Sequence, residues 1–288
     1  MDKPTESDKP NAFVTLFMSA PHYIYGVIAM AHSLRKTNTK HKIVCMITPD
    51  LTEYQDILSI VYDDIEVVPY IKCQTDFLAT KKQNDIYKDW KNISYTKWQC
   101  LSLTQYNKIC FLDADLIIQK NIDHLFDLPA PAGRFGNNWD SAVNHYDNIQ
   151  HGESVSSNIV IKGLNKGYIV NGHCVVLEPS LDLYSAFKKF MGCCKYHRPP
   201  GCLSMADECA LVMFLHSEAK TWTQIDSAYN FVPWKGDIKD AFILHFFNKI
   251  KPWNMKRGEW PDLKIWYTVW DDAISIFPDI TKKLENIR

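Results

Sequence analysis

The sequence has no long hydrophobic run and no excess of either charge sign, and each absence excludes a class of protein. No stretch approaches about 20 consecutive apolar residues, the length of a membrane-spanning helix, so no membrane partner is expected. The 32 basic and 33 acidic residues leave a formal net charge of −1. This balance gives no electrostatic reason to expect nucleic acid or an anionic lipid surface as a partner.

The N-terminus lacks the apolar core of a secretory signal. Residues 1–11 are polar and include two prolines, which predicts a short disordered leader. The nine cysteines are an odd number without a C-x-x-C pair, and several lie within apolar runs. Such usage is typical of buried, reduced thiols, so we expect a cytoplasmic protein.

The apolar residues follow the alternation of an α/β fold. Segments 12–20 and 41–50 are apolar and β-branched, which predicts buried strands, and 23–37 between them has apolar residues at helical spacing. Strand, helix and strand within about 40 residues form a βαβ unit, which implies a parallel sheet.

The same alternation continues to the C-terminus. Further helices are predicted at 52–64, 94–107, 180–191, 207–218 and 263–277, and further strands at 65–71, 108–115, 168–179 and 241–247. With no repeat and no linker, we predict a single α/β domain over 12–288. It contains an irregular stretch at 129–168 and a helical tail from about residue 262.

Two aspartates end the apolar run ICFLDAD at 109–115. Alternate side chains of a strand share a face, so Asp113 and Asp115 are expected on one side, at the edge where open α/β sheets bind ligands. Two adjacent carboxylates repel each other unless a cation lies between them. A hard divalent ion with oxygen ligands, Mn²⁺ or Mg²⁺, resolves that conflict.

Two enzyme classes place D-x-D after an apolar strand. Haloacid-dehalogenase-like phosphatases use the first aspartate as a nucleophile within D-x-D-x-[TV], whereas Ile117 stands at the last position here and the pair lies mid-chain. Nucleotide-sugar transferases use the pair to hold a metal that bridges a diphosphate. The motif alone leaves both classes open.

The wider sequence around the aspartates, 95–129, resembles glycosyltransferase family eight, particularly glycogenin and galactinol synthase. HFFNKIKPW at 245–253 is similar to the family's H-F-x-G-x-x-K-P-W, and the resemblance extends over about 12–257. It implies a GT-A type fold, with a Rossmann-like, mostly parallel mixed sheet flanked by helices. It also implies a retaining transfer of a hexose, glucose or galactose, from a UDP-sugar, with Mn²⁺ as the usual metal.

Carried over position by position, the resemblance implies three metal ligands, Asp113, Asp115 and His245. It assigns Lys251 to the phosphates of the donor and places Ala114, between the aspartates, among the donor-binding residues. Imidazole and carboxylates with open positions for diphosphate oxygens suit Mn²⁺.

The resemblance further implies residues that contact the nucleoside and the sugar. They are Thr15, Tyr23, Lys97, Asp140, Asn171 and Asp207. Thr15 and Tyr23 match uridine contacts, while Lys97 and Asp140 match the donor site. Asp207, Lys97 and Asn171 are the catalytic candidates, with Asp207 orienting the donor or stabilising oxocarbenium-like charge.

Several positions near the sugar depart from the family pattern. His173 replaces a glycine, Glu208 a glutamine and Val212 an asparagine, so the sequence leaves the sugar and the acceptor undetermined. No tyrosine lies between Asn230 and His245. The self-glucosylated tyrosine of glycogenin therefore has no counterpart, and a glycogen-priming role is not expected.

The expected partners are a UDP-sugar donor and an unidentified acceptor, and the sequence leaves a homodimer open. Two alternatives to an active transferase remain. A dehalogenase-like phosphatase would lose a covalent intermediate in the variant Asp113→Asn. A catalytically idle UDP-sugar-binding protein would bind UDP without turnover.

Overall fold

The computed structural model describes residues 9–75, 78, 80–136, 149–166, 169–193, 202, 204–232, 237–258 and 260–286. The chain groups into two compact units. The first unit comprises Met1–Ala12, Tyr70–Phe111 and His124–Ser227, and the second comprises Phe13–Pro69, Leu112–Asp123 and Ala228–Arg288. The predicted leader lies largely outside the described residues, and the prediction of a single domain stays a prediction.

The second unit contains the predicted βαβ segment. Its strands are β1 (Ala12–Phe17), β2 (Lys42–Ile47), β3 (Asp64–Val67), β5 (Leu116–Ile118) and β10 (Ile243–His245). Its helices are α1 (Ile24–Lys36), α2 (Gln55–Leu58), α7 (Pro261–Ile276) and α8 (Asp279–Asn286). The order is β3-β2-β1, with β2 and β3 parallel, and a separate two-stranded sheet pairs β10 with β5 antiparallel.

An apolar core holds this second unit together. Ala29 of α1, Ile117 of β5, Leu244 of β10 and Trp266 of α7 are almost fully buried within one cluster. Burying a large apolar side chain stabilises a fold by about 1.5–3 kcal/mol relative to leaving it exposed. Packing of these apolar residues therefore fixes α1, α7 and the β5–β10 pair against one another.

The first unit is built on a mixed sheet. Its strands are β4 (Ile109–Leu112), β6 (Ala132–Phe135), β7 (Ser154–Val155), β8 (Val170–Leu177) and β9 (Trp222–Gln224), in the order β4-β8-β6-β9-β7. Its helices are α3 (Lys81–Tyr87), α4 (Ser157–Lys166), α5 (Leu181–Cys193) and α6 (Ala206–Ser217). Strand β6 is antiparallel to β8 and parallel to β9, while β7 is antiparallel to β9.

Short 3₁₀ helices connect many of these elements. They are Pro21–Tyr23, Pro49–Tyr54, Ser94–Ser102, Asp123–Asp127, Ser227–Asn230, Ile238–Asp240 and Pro252–Asn254. Helices flank the sheet strands, so the predicted α/β class is confirmed. None of the described helices is long and apolar enough to cross a membrane.

The structure corrects four local predictions. The helix expected at 52–64 is shorter, because the chain turns after Leu58 and buries Tyr62, whose hydroxyl donates to the Val27 carbonyl. Ser94–Ser102 is a 3₁₀ helix rather than an amphipathic α-helix, and eight of its nine residues are buried. The stretch 129–168 is not irregular throughout, since it contains β6, β7 and α4. The fourth correction concerns the aspartates.

Candidate functional site

Asp113 and Asp115 lie in a turn rather than on a strand face. Strand β4 ends at Leu112, and β5 begins at Leu116. The prediction that both carboxylates are the last same-face residues of one strand is therefore wrong. A turn can direct both side chains to one side without the strict alternation of a strand, because its backbone is not extended.

The pairing of β5 with β10 brings a histidine to this turn. His245 is opposite Leu116 in the register, and the amide of Phe246 donates to the carbonyl of Asp115 at 3.0 Å. One ligand atom each from Asp113, Asp115 and His245 lies within 4.8 Å of the other two. The three residues that the resemblance implied as metal ligands are thus neighbours within the second unit.

Lys251 supplies a positive charge beside the same turn. Its Nζ lies 2.6 Å from Oδ2 of Asp115 and donates to the carbonyl of Phe246 at 2.9 Å. Burial alone would raise the pKa of the Asp115 carboxyl, but the Lys251 ammonium and the His245 ring outweigh it. They hold this pKa well below its usual range, so Asp115 is an anion at neutral pH.

The donor set fits a hard divalent cation. Oδ1 of Asp115 is buried and has no hydrogen-bond partner among the described residues, although an unpaired buried oxygen is costly. His245 shares a 2.8 Å hydrogen bond between Nδ1 and Oδ1 of Asn230, which leaves Nε2 directed to Asp115 at 3.5 Å. A histidine ligand oriented through its other nitrogen is typical of metal centres.

Two further predicted donor residues lie in the second unit. Tyr23 packs edge-on against Trp253, with ring centroids 5.2 Å apart, and Nζ of Lys251 lies 6.0 Å from the centre of the Tyr23 ring. Thr15, on β1, is fully buried, and its hydroxyl has no partner within the described chain. Their predicted contacts with uridine stay predictions. Asp140 lies outside the described residues.

The first unit brings together Lys97, predicted to line the donor site, and Asp207, the predicted sugar-side carboxylate. Nζ of Lys97 lies 3.4 Å from Oδ2 of Asp207, which is 1% exposed and lies in the first turn of helix α6. The indole of Trp98 donates to the backbone carbonyl of Asp207 at 2.9 Å and so fixes its position. In the part of the chain that is described, neither carboxylate oxygen of Asp207 has a hydrogen-bond partner. The hydrogen-bonding capacity of these buried oxygens is therefore unused within the described residues.

Asn171 is held by an arginine that the sequence reading missed. Nη1 of Arg134, on β6, donates to Oδ1 of Asn171, on β8, at 2.8 Å. Burial lowers the pKa of Arg134 to about 10, and the charge of Asp226 opposes that effect. The available signal was a single basic residue inside the apolar strand Ala132–Phe135, because a buried guanidinium requires partners.

Glu208 links strand β8 to the start of helix α6 by accepting two backbone hydrogen bonds. Oε1 accepts from the amide of Gly172 at 2.7 Å, and Oε2 accepts from the amide of Met205 at 2.9 Å. The second bond gives the N-cap amide of α6 a partner, while Met205 has no side-chain oxygen to form the other half of a capping box. Gly172 must approach closely, since a Cβ there would lie 3.0 Å from Cγ of Glu208 and 3.5 Å from Nζ of Lys97.

Glu208→Gln is expected to change how stability depends on pH. Burial, with the nearby Asp207 charge, raises the Glu208 pKa to about 8 in the folded protein, against 4.5 in the unfolded chain. The folded state therefore holds the extra proton between these values, and wild-type stability falls as pH rises from about 5 to 8. The neutral amide removes this contribution. As pH rises from 5 to 8, the free energy of unfolding of the variant should therefore increase relative to that of wild type by on the order of 1–3 kcal/mol. Urea unfolding at each pH measures this difference.

The test compares how steeply the stability of each protein changes with pH. Absolute stabilities are not compared, because an amide offers only one acceptor oxygen to the two backbone donors, which lowers the stability of the variant at every pH. Parallel pH profiles for the two proteins would contradict the prediction.

Gly26→Ala is expected to displace the aspartate turn. A Cβ at Gly26, inside α1, would lie 2.5 Å from the backbone oxygen of Ala114 and 2.6 Å from the Trp253 ring. Overpacking of this kind costs about 1–3 kcal/mol, although alanine is by itself the better helix former. We expect lower thermal stability together with weaker binding of Mn²⁺, measured by calorimetry.

Gly192→Ala is the matched control, because a Cβ at this α5 position meets no atom within 4 Å. Its free energy of unfolding should increase by up to about 1 kcal/mol, because alanine has the higher helix propensity, and Mn²⁺ binding should be unchanged. Equal behaviour of the two variants would contradict the proposed close approach.

The fold defines a class of protein. The apo-form glycosyltransferase GlyE of Streptococcus pneumoniae TIGR4 matches with a TM-score of 0.55 at 13% identity, over 95% of this chain and 64% of GlyE. At this identity the likeness concerns the fold alone, which is the GT-A glycosyltransferase fold. The profile described as Glycosyl transferase family 8 matches residues 14–257. The chain belongs to this family, as the resemblance implied.

Two curated relatives extend over most of the chain. The uncharacterized protein R707 of Acanthamoeba polyphaga mimivirus is 30% identical over 258 residues, which are 84% of this chain and 82% of R707. Human glycogenin-1 is 24% identical over 256 residues, 84% of this chain but 62% of its own length. The chain thus spans less than two thirds of glycogenin-1, and activities of the whole relative do not transfer with the match.

Proposed function

We propose that this glycosyltransferase moves a hexose, glucose or galactose, from a UDP-sugar to an acceptor hydroxyl, with retention of configuration and dependence on Mn²⁺ or Mg²⁺. The observation that carries the proposal is the cluster of Asp113, Asp115 and His245 beside Lys251, in a chain of family 8. Anionic oxygens, an imidazole and an adjacent ammonium suit a divalent cation and a diphosphate.

In the second unit, Asp113, Asp115 and His245 would hold the cation, and Asn230 would orient His245. The bound cation would neutralise charge on the diphosphate as UDP departs. Lys251 places a second positive charge beside the diphosphate. Because Lys251 is buried, its electrostatic interaction with the phosphates would be stronger than in water. Tyr23 and Thr15 are proposed to contact uridine, and Ala114 to contact the donor through its backbone.

In the first unit, Asp207 and Asn171 are proposed to contact the transferred sugar. The Asp207 carboxylate, ion-paired with Lys97 but without a hydrogen bond among the described residues, would accept hydrogen bonds from sugar hydroxyls, and Arg134 presents Asn171 in a fixed orientation. The carboxylate would also stabilise positive charge on the anomeric carbon while the bond to UDP breaks. The acceptor oxygen forms the new bond on the same face, and its proton passes to a phosphate oxygen of the departing UDP.

UDP release from a panel of UDP-sugars, with Mn²⁺ and with EDTA, tests the proposal. We expect metal-dependent release from one donor, which would identify the sugar. Separate equilibrium measurements should give the affinity for UDP in the presence of Mn²⁺.

Two other outcomes have distinct meanings. Tight UDP binding without turnover of any donor would favour the catalytically idle binding protein. Absence of UDP binding would overturn the proposal. Family membership favours the transferase over the dehalogenase-like phosphatase, because the matched region includes both the D-x-D and the H-F-x-x-x-x-K-P-W segment.

A further inference from the structure

Exposed hydrophobic side chains gather around one cavity of the second unit. Seven large hydrophobic residues are exposed among those described, and three of them line this cavity: Trp260, Ile250 and Met255, at 70%, 61% and 39% exposure. A single exposed hydrophobic side chain is ordinary, but a contiguous group in a concave surface indicates a binding site. We call this cavity, lined by these three residues with His245, Asn248 and Asp262, the tryptophan cleft.

The tryptophan cleft reaches the candidate metal ligands through His245. This histidine lines the cleft and also lies 3.5 Å from Asp115. A molecule in the cleft can therefore reach the residue that is proposed to hold the cation. Neither Trp260 nor Ile250 takes part in the donor chemistry proposed above, so their exposed surface is not explained by the donor.

The lining of the cleft indicates the chemistry of its occupant. The volume is about 410 Å³, within the usual range for small-molecule sites. The indole of Trp260, the aliphatic side chains of Ile250 and Met255, and the rings of Pro252 and Pro261 provide apolar contact surface. Polar groups come from few side chains, so a bare sugar would leave many hydroxyls without partners.

We propose that the tryptophan cleft binds the apolar aglycone of an amphipathic acceptor, with an aromatic ring stacked on Trp260. The acceptor hydroxyl would then face His245, while Asn248 and Asp262 bind its polar part. Aromatic rings stack favourably on an indole, and the surrounding aliphatic groups exclude water from the contact. The inference rests on the proposed transferase function and adds the class of acceptor.

Calorimetry with phenyl and methyl β-glycosides of glucose and galactose tests this inference on the full chain with Mn²⁺ and UDP. For at least one sugar we expect the phenyl glycoside to bind at least about tenfold more tightly than its methyl counterpart. Trp260→Ala should remove this advantage, and Trp260→Phe should keep part of it. The change Trp260→Ala should leave UDP affinity unchanged.

The controls separate failure of the inference from failure of the proposed function. Leu181→Ser alters a residue that is 58% exposed and lies outside the cleft, and it should retain the phenyl preference. UDP binding without any phenyl preference would overturn the inference while the proposed function stands. A phenyl preference that persists in Trp260→Ala would also overturn it.

Light scattering gives a further decisive outcome. A dimer of the wild-type chain that dissociates on Trp260→Ala would assign the cleft to a second copy of the chain and overturn the acceptor inference. A phenyl preference that depends on Trp260 in a protein without UDP affinity would support the cleft and contradict the proposed donor.

Discussion

Asp115→Ala is expected to lower Mn²⁺ affinity by about 10³-fold, or on the order of 4 kcal/mol, and to abolish metal-dependent UDP release. The variant removes one of three clustered ligands and also leaves the Lys251 ammonium, 2.6 Å from Asp115 Oδ2, without its carboxylate. Breaking a buried pair from one side leaves an uncompensated charge, which costs about 3–5 kcal/mol. The melting temperature should therefore fall together with the affinity.

Calorimetric titration with Mn²⁺ and the UDP-release assay measure the two expected losses. Asp85→Ala, at an exposed position of α3, is the matched control and should change neither. Because a destabilised variant could lose binding through unfolding, affinity is measured well below its melting temperature. Undiminished Mn²⁺ affinity in a folded Asp115→Ala protein would contradict the assignment of this cluster as the metal centre.

The second large effect is expected from the buried ion pair of Lys97 and Asp207. Lys97→Met should destabilise the protein by about 3–5 kcal/mol, because it leaves the 1% exposed Asp207 carboxylate uncompensated. It should also reduce kcat/KM by about 10³-fold if this pair acts on the donor sugar. The double variant Lys97→Met/Asp207→Asn removes both charges and should recover most of the stability.

Recovery of stability without recovery of activity is the result that separates a functional pair from a structural one. Unfolding in urea and the transfer assay are the measurements, with UDP affinity expected to stay within a few fold of wild type. Arg257→Met breaks the exposed pair with Asp271, whose atoms lie 2.5 Å apart, and should cost only about 0–1 kcal/mol. A double variant that regains transfer activity would contradict the catalytic assignment.

Much of the fold followed from local pattern, and the exceptions have physical reasons. Helices α1, α5 and α7 were predictable because their apolar residues recur at the helix period, whereas β1, β2 and α6 were predictable as continuous apolar runs. Ser94–Ser102 was misassigned because burial on nearly all sides decides its conformation. The short strands within 129–168 were not predicted, because a strand such as β7, with two residues, is too short to show an alternation of apolar residues.

By itself, the sequence determined the family, the α/β class and the identity of the candidate ligands. These follow from the D-x-D and H-F-x-x-x-x-K-P-W segments, which are local and need no knowledge of spatial neighbours. Only the tertiary structure decided how the ligands meet. Lys251 and Asp115 are 136 residues apart in sequence, and the β5–β10 register brings them into contact.

The supporting residues also depended on tertiary structure. Arg134 bonds to Asn171, Asn230 orients His245, and Gly26 admits the Ala114 carbonyl at close range. Each contact joins separate elements of the chain, so neither periodicity nor composition predicts it. Packing and hydrogen bonding across the folded chain select these partners, and local sequence does not.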